Sequence, residues 1–243
     1  MGELVSKHDI RQKIWKRMTE KNVGRFPFPL QNRIPNFKGA EQAAQLFTTL
    51  DVYQRAEVVK VNPDAPQLPL RQRILKDHKI LLIPTPRLRA GFIMIRPEWV
   101  PEGEERKAAS IKHMKSYGTE IPLTQIPPID LFVAGSVAVH EDGRRIGKGE
   151  GYSDREYAIL RELGQPVIPA ATTVHSIQVT RDDLPRDSYD LPLDWIVTEK
   201  EIIQTDTPYR KPEGIVWDEV TEEEKNEMPV LLEVWNLKHH SNE

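Results

Sequence analysis

The sequence predicts an α/β fold with a mostly parallel sheet covered by helices on both faces. Two observations carry this expectation. Short apolar runs alternate with amphipathic helical stretches along most of the chain. Those runs are continuously hydrophobic rather than alternating with polar residues, the pattern of strands buried on both sides. With 243 residues, 38% of them hydrophobic, the chain can bury a sizeable core. A single domain over 1–243 is expected.

The elements follow in order. A first helix spans residues 6–21: Ser6, with Asp9 three positions on, has the form of a capping box, and Ile10, Ile14 and Met18 recur every four residues as one buried stripe. Lys7 and Arg11 share the neighbouring face and can grip one anion together. In RFPFPLQNRIPNFKG the prolines forbid regular structure. Residues 39–50 read as a helix, 58–61 as a strand, 68–77 as a helix and 79–84 (KILLIP) as a buried strand. A helix over 105–116 precedes a strand over 131–139, and a helix over 154–163 is closed by Gly164. Further short apolar runs lie at 167–170, 173–179 and 195–198, and an acidic tail over 219–243 reads as one or two helices. Trp195, Trp217 and Trp235 are expected packing anchors.

Composition excludes several classes of function. There is no cysteine, so disulfides, thiolate metal sites and cysteine nucleophiles are ruled out. Net charge is −3, from 34 basic and 37 acidic residues, and no global basic field recruits nucleic acid. The longest dense apolar stretch, 131–139, is far short of a membrane span. The start, MGELVSKHDIRQK, has no apolar core, and a cytoplasmic protein is expected. Charge is uneven: residues 1–33 hold eight Lys/Arg against three Asp/Glu, and 213–243 hold two against nine. The oligomeric state is left open.

The stretch LFVAGSVAVHEDGRRIGKGEGYSDREYAIL carries the most chemistry. A buried strand runs into Gly143, Gly147, Gly149 and Gly151, and a helix follows. Such a loop bends tightly enough to aim several backbone N–H groups at one anion beside a helix N-terminus. Arg145 and Lys148 supply fixed positive charge for a polyphosphate. Ser153 and Glu156 match a capping box at the helix start. The spacing fits neither the P-loop nor the dinucleotide fingerprint. His140 and His175 sit at strand ends and are read as structural or surface histidines. Arg87 and Arg89, in T-P-R-L-R after a strand end, are read either as contacts to a second anionic group or as a surface loop.

The run G-R-R-I-G-K-G-E-G-Y-S-D-R resembles the signature G-x-R-L-G-x-G-G-G-Y-Y-D-R of the 5-formyltetrahydrofolate cyclo-ligases, also called methenyltetrahydrofolate synthetases. The order of the other motifs agrees: Lys7 and Arg11 on the first helix, a K-x-x-x-x-P strand, then Val174 to Val179 and Y-D-L-P-L-D-W-I-V-T-E. RIPNFKGA, IPTPRLRAG and GSVAV are similar to the branch of methenyltetrahydrofolate synthetase domain-containing proteins. The resemblance implies a fold shared with ribose-5-phosphate isomerase and CoA-transferases. It also implies ATP- and magnesium-dependent conversion of 5-formyltetrahydrofolate to 5,10-methenyltetrahydrofolate. In that chemistry the formyl oxygen attacks the γ-phosphate, N10 closes the ring and phosphate departs. By motif position, Lys7 and Arg11 contact phosphate, and Arg145, Gly147, Lys148, Gly149 and Gly151 form the phosphate loop. Tyr152 flanks the substrates, and Asp154 helps hold magnesium.

The chain also departs from that pattern. It reads Gly135-Ser136-Val137-Ala138-Val139-His140 where the cyclo-ligases have P-G-x-A-F-D, carries Glu150 within the loop, and has Ser153 for the second tyrosine. Asp64 is the nearest acid to the folate-contacting position. Two alternatives therefore stand beside cyclo-ligase activity: a paralogue that uses ATP or a phosphate on another, thiamin-related heterocycle, and a non-catalytic nucleotide-binding protein.

Overall fold

Local capping sets the first element. In this computed structural model, which describes residues 5–239, the Ser6 hydroxyl accepts the Asp9 amide and the Asp9 carboxylate accepts the Ser6 amide, each at 3.1 Å. The helix they open, α1 (Lys7–Glu20), buries Ile10, Ile14, Trp15 and Met18. The proline-rich segment after it forms no helix and makes one isolated bridge, Gly24 to Phe37. Then come α2 (Ala40–Phe47), α3 (Asp51–Arg55), β1 (Val58–Val61), α4 (Leu68–Lys76), β2 (Ile80–Pro84) and β3 (Phe92–Ile95). Two short helices, α5 (Glu105–Ala108) and α6 (Met114–Tyr117), replace the single helix expected over 105–116. They lead to β4 (Thr119–Ile121), β5 (Leu131–Val133), β6 (Ala138–His140), β7 (Arg145–Ile146), α7 (Tyr152–Glu162) and β8 (Ala170–Thr173). The chain continues through β9 (Val179–Thr180), β10 (Trp195–Val197), β11 (Ile202–Gln204), α8 (Glu222–Glu227) and α9 (Val230–His239). The outermost residues of the acidic tail, 240–243, and residues 1–4 lie outside the described residues.

Among the described residues, eight strands form the main sheet in the order β11-β10-β8-β5-β1-β2-β3-β4. The five central strands, β10 to β2, are parallel, and antiparallel strands flank both edges. The mostly parallel sheet is as the apolar runs predict. Strand residues divide between two cores by parity. Leu82, Phe132 and Ile196 face α7 and α9, while Leu81, Val133 and Val197 face α2 and α4. A third core joins α1 to a small sheet, β7-β6-β9. No helix among the described residues is long and apolar enough to cross a membrane.

The apolar run over 131–139 is not one strand. It leaves the main sheet after Val133 and enters the small sheet at Ala138. Gly135, at the break, has the Asp64 carboxylate 2.5 Å and Ile34 3.1 Å from where a Cβ would stand. Any side chain there would displace the segment after β1, so the glycine lets three pieces of chain meet at one point.

Candidate functional site

The C-terminal ends of β1, β2 and β5 open on one edge of the sheet. The residues after them form one wall of a cavity of about 380 Å3, and the glycine-rich loop forms the other. This is where open α/β sheets place ligands. Arg71 of α4 fixes the first wall: its buried guanidinium donates to the carbonyls of Asn62 (2.6 Å), Asp64 (2.9 Å) and Ala109 (3.0 Å).

Arg145 is 5% exposed and built into the cavity. Nη1 donates to the Gly135 carbonyl and Nη2 to Asp154 Oδ1, each at 2.8 Å, while Nε has no partner. Asp154 Oδ1 also accepts the Leu191 amide at 2.8 Å. Lys148 Nζ pairs with Glu150 Oε2 at 2.9 Å, so the loop carboxylate neutralises its own lysine. Gly149 (φ +113°) and Gly151 (φ +70°) occupy left-handed backbone that side chains rarely adopt, and Gly151 is the residue from which α7 starts. Tyr152, first in α7, lines the cavity; burial raises its phenol pKa, and nearby Glu227 adds to the rise.

The two cations of α1 go different ways. Arg11 Nε donates to the Gly147 carbonyl at 2.7 Å, and its guanidinium lies 3.4 Å from where a Cβ on Gly149 would sit. Lys7 Nζ turns to Asp187 and Asp190, each at 2.6 Å. Burial pulls the Lys7 pKa down, but the hydrogen bonds to both acids outweigh it and the net shift is upward. The structure thus brings Arg11, Arg145, Lys148 and the loop glycines together, with Asp154 beneath Arg145 and Asp64 on the far wall. Burial raises the Asp64 pKa against the pull of Lys148, Arg71 and Lys60.

Ser153 and Glu156 do not cap α7, contrary to the expected capping box. Both lie inside the helix and are claimed by strand β1. Asn62 Nδ2 donates to Ser153 Oγ at 2.6 Å, and Glu156 forms a buried ion pair with Lys60. Lys60 Nζ also donates to Asn62 Oδ1 at 2.6 Å and stands 3.8 Å from the centre of the Phe132 ring. Burial drives both members of the pair toward their neutral forms. A lysine in a buried strand and a glutamate on a helix give no sequence sign of being partners, since their contact depends on which helix covers which strand.

Asp190 is a further functional candidate that sequence reasoning passed over, although it lies in the quoted stretch Y-D-L-P-L-D-W. Burial raises its pKa, Lys7 opposes that, and the negative charge of Asp154 adds to the rise. Among the described residues no group of three or more His, Cys, Asp or Glu is gathered to hold a metal. Asp154 on the cavity lining and the buried Asp190 are oxygen donors of the kind magnesium takes, and magnesium keeps several waters and draws most other ligands from phosphate. The two histidines are structural in position. His175 Nδ1 accepts the Ile177 amide at 3.0 Å, and His140 Nδ1 stands 2.9 Å from Asp142.

A glycine loop and a buried arginine across the strand ends of a parallel sheet make up the candidate site of this α/β protein, and sequence comparison resolves the family. The profile of the 5-formyltetrahydrofolate cyclo-ligase family matches residues 4–199, and the chain belongs to that family. It is 42% identical over 242 residues to a methenyltetrahydrofolate synthase domain-containing protein of Bos taurus, covering 97% of this chain and 62% of the relative. The Homo sapiens protein of the same name is 41% identical over 234 residues, covering 93% of this chain and 61% of the relative. The chain thus spans about three fifths of the length of these relatives. The fold is similar to that of the 5,10-methenyltetrahydrofolate synthetase of Aquifex aeolicus, with a TM-score of 0.53 at 22% identity, over 84% of this chain and 95% of that one.

Proposed function

We propose that the chain is an ATP- and magnesium-dependent cyclo-ligase that closes 5-formyltetrahydrofolate to 5,10-methenyltetrahydrofolate. The observation that carries this reading is the convergence of Arg145, Lys148 and the loop backbone, braced by Arg11 on the Gly147 carbonyl, on one side of a cavity whose other wall presents Asp64. Family membership supports the reaction class.

The chain's residues have separable roles in this reading. Backbone N–H groups of 147–151 and the Lys148 ammonium hold the polyphosphate, with Lys148 exchanging Glu150 for phosphate oxygens. Arg145, already fixed by Gly135 and Asp154, positions the loop against the cavity. Asp154 and Asp190 would hold magnesium, which supplies neutralisation of phosphate charge. Asp64 and Tyr152 border the space for the heterocycle. The formyl oxygen bonds to the γ-phosphorus as the bond to the ADP oxygen breaks. N10 then bonds to the formyl carbon and loses its proton to solvent, and phosphate leaves with the electrons of the former C–O bond. Catalysis of this kind is positioning and charge stabilisation.

The test incubates the protein with ATP, magnesium and 5-formyltetrahydrofolate, following methenyl absorbance and phosphate release together. The reading expects one phosphate per methenyl product, with neither formed without ATP. Phosphate release without product, or ATP binding without either, would assign the scaffold to another heterocycle; thiamin-related phosphates are the first to try.

A further inference from the structure

Three cations line the cavity, and two of them are committed. Arg145 is tied to Gly135 and Asp154, and Lys148 to Glu150. The third, Arg87, comes from the turn after β2, and among the described residues its guanidinium has no hydrogen-bond or ion-pair partner. Its charge reaches Tyr152 across the cavity. Arg89, two residues on, does not line the cavity.

The turn that presents Arg87 is built at a conformational cost. Arg87 and Leu88 both stand at φ +53°, in left-handed backbone where glycine is the unstrained choice. The surroundings over-determine it. The Thr85 amide and hydroxyl both donate to the Gly91 carbonyl, at 2.9 and 3.0 Å. The same hydroxyl accepts the Ala90 amide at 3.0 Å, and the Leu88 amide donates to the Thr85 carbonyl at 2.8 Å. The Leu88 side chain is buried under the turn. A strained residue locked in this way, with a free guanidinium on a cavity lining, has the form of a ligand contact. The cavity lining also includes Ile34, Pro63 and Ile111, surfaces for the apolar body of a ring system.

We propose that Arg87 is a specificity-determining residue that reads, from the turn after β2, an anionic group, carboxylate or phosphate, on the tail of the substrate. The substrate class is then a heterocycle with an apolar body and an anionic tail. The inference rests on the reading of this cavity as the substrate site.

Calorimetric binding to the wild-type chain, R87Q and R87K tests it with two matched pairs. One pair is 5-formyltetrahydrofolate and 5-formyl-6-methyltetrahydropterin, which lacks every carboxylate. The other is thiamin monophosphate and thiamin. In the pair that binds, R87Q should weaken the member with the anionic group by about tenfold to a hundredfold without weakening the member that lacks it, and R87K should recover part of the loss. The pair that responds identifies the tail. Equal losses on both members, no loss on either, or no preference of the wild-type chain for an anionic member would overturn the proposal. Magnesium-ATP binding, measured on the same proteins, should be unaffected by R87Q; its absence from the wild-type chain would instead count against the phosphate-loop reading.

Discussion

At the residue scale, two ion pairs with a member on the cavity lining differ in kind. Lys60 and Glu156 are a buried pair, and removing one partner strands a charge away from water. Lys60→Met or Glu156→Gln should each cost about 3–5 kcal/mol in denaturant unfolding. The double variant Lys60→Met/Glu156→Leu should recover most of that loss, because no charge is left behind. A double variant as unstable as the singles would contradict this account. Lys148 and Glu150 are partly exposed, and pairs of that kind contribute only tenths of a kcal/mol to about 1 kcal/mol. Glu150→Gly should therefore free Lys148 and tighten magnesium-ATP binding about two- to fivefold. Weaker binding would show that Glu150 supports the loop.

At the scale of elements, one carboxylate ties α9 and the segment before α8 to α7. Glu162, at the end of α7, accepts the Ile215 amide at 2.8 Å and the Trp217 indole at 3.4 Å, and pairs with Lys238 on α9. Burial would raise its pKa, but the hydrogen bonds from Lys238, Ile215 and Trp217 outweigh burial and hold it below the usual carboxylate value. Because the folded value lies below the unfolded one, this contribution is present above about pH 4.3. It is lost as pH falls through the folded value. Glu162→Ala should cost about 2 kcal/mol near neutral pH, with faster amide exchange over 230–239. The difference from wild type should fade on acidification; a constant difference would point to lost packing instead.

The same scale shows what the sequence makes legible. α1, β1, α4 and β2 follow from signals within a few residues of each element: a cap, a stripe, a short apolar run. The break at Gly135 is not local, since nothing in 131–139 announces that Asp64 arrives from 71 positions upstream. Ser153 and Glu156 fit a local rule, but Asn62 and Lys60 compete for them across the core and win. β3, β4 and β11 are short strands at or near the sheet edges, too brief to show a period. Of the candidate site, the loop residues and Arg11 are legible because they lie in contiguous motifs. Asp190 and the Lys60 network gain their meaning only from neighbours distant in sequence.

At the scale of the molecule, the uneven charge resolves into local pairing. Lys7 and Lys13 on the basic first helix meet Asp187, Asp190 and Asp182, and Glu224 of the acidic tail meets Arg155 of α7. The site's charge is thus largely pre-paired, and in the proposed function a polyphosphate would enter by replacing carboxylates rather than by meeting an open cationic field. Binding should accordingly weaken with added salt less steeply than a count of the basic residues in α1 suggests. The measurement that tests the account most directly is calorimetric binding of magnesium-ATP to the wild-type chain and to Lys148→Ala. Lys148 is the better probe than Arg145, which also holds the cavity wall. The account predicts saturable binding to the wild type and about tenfold weaker binding to the variant, with unchanged unfolding. Equal affinity in the two proteins, or no binding to the wild type, would contradict the assignment of the glycine loop as a phosphate site.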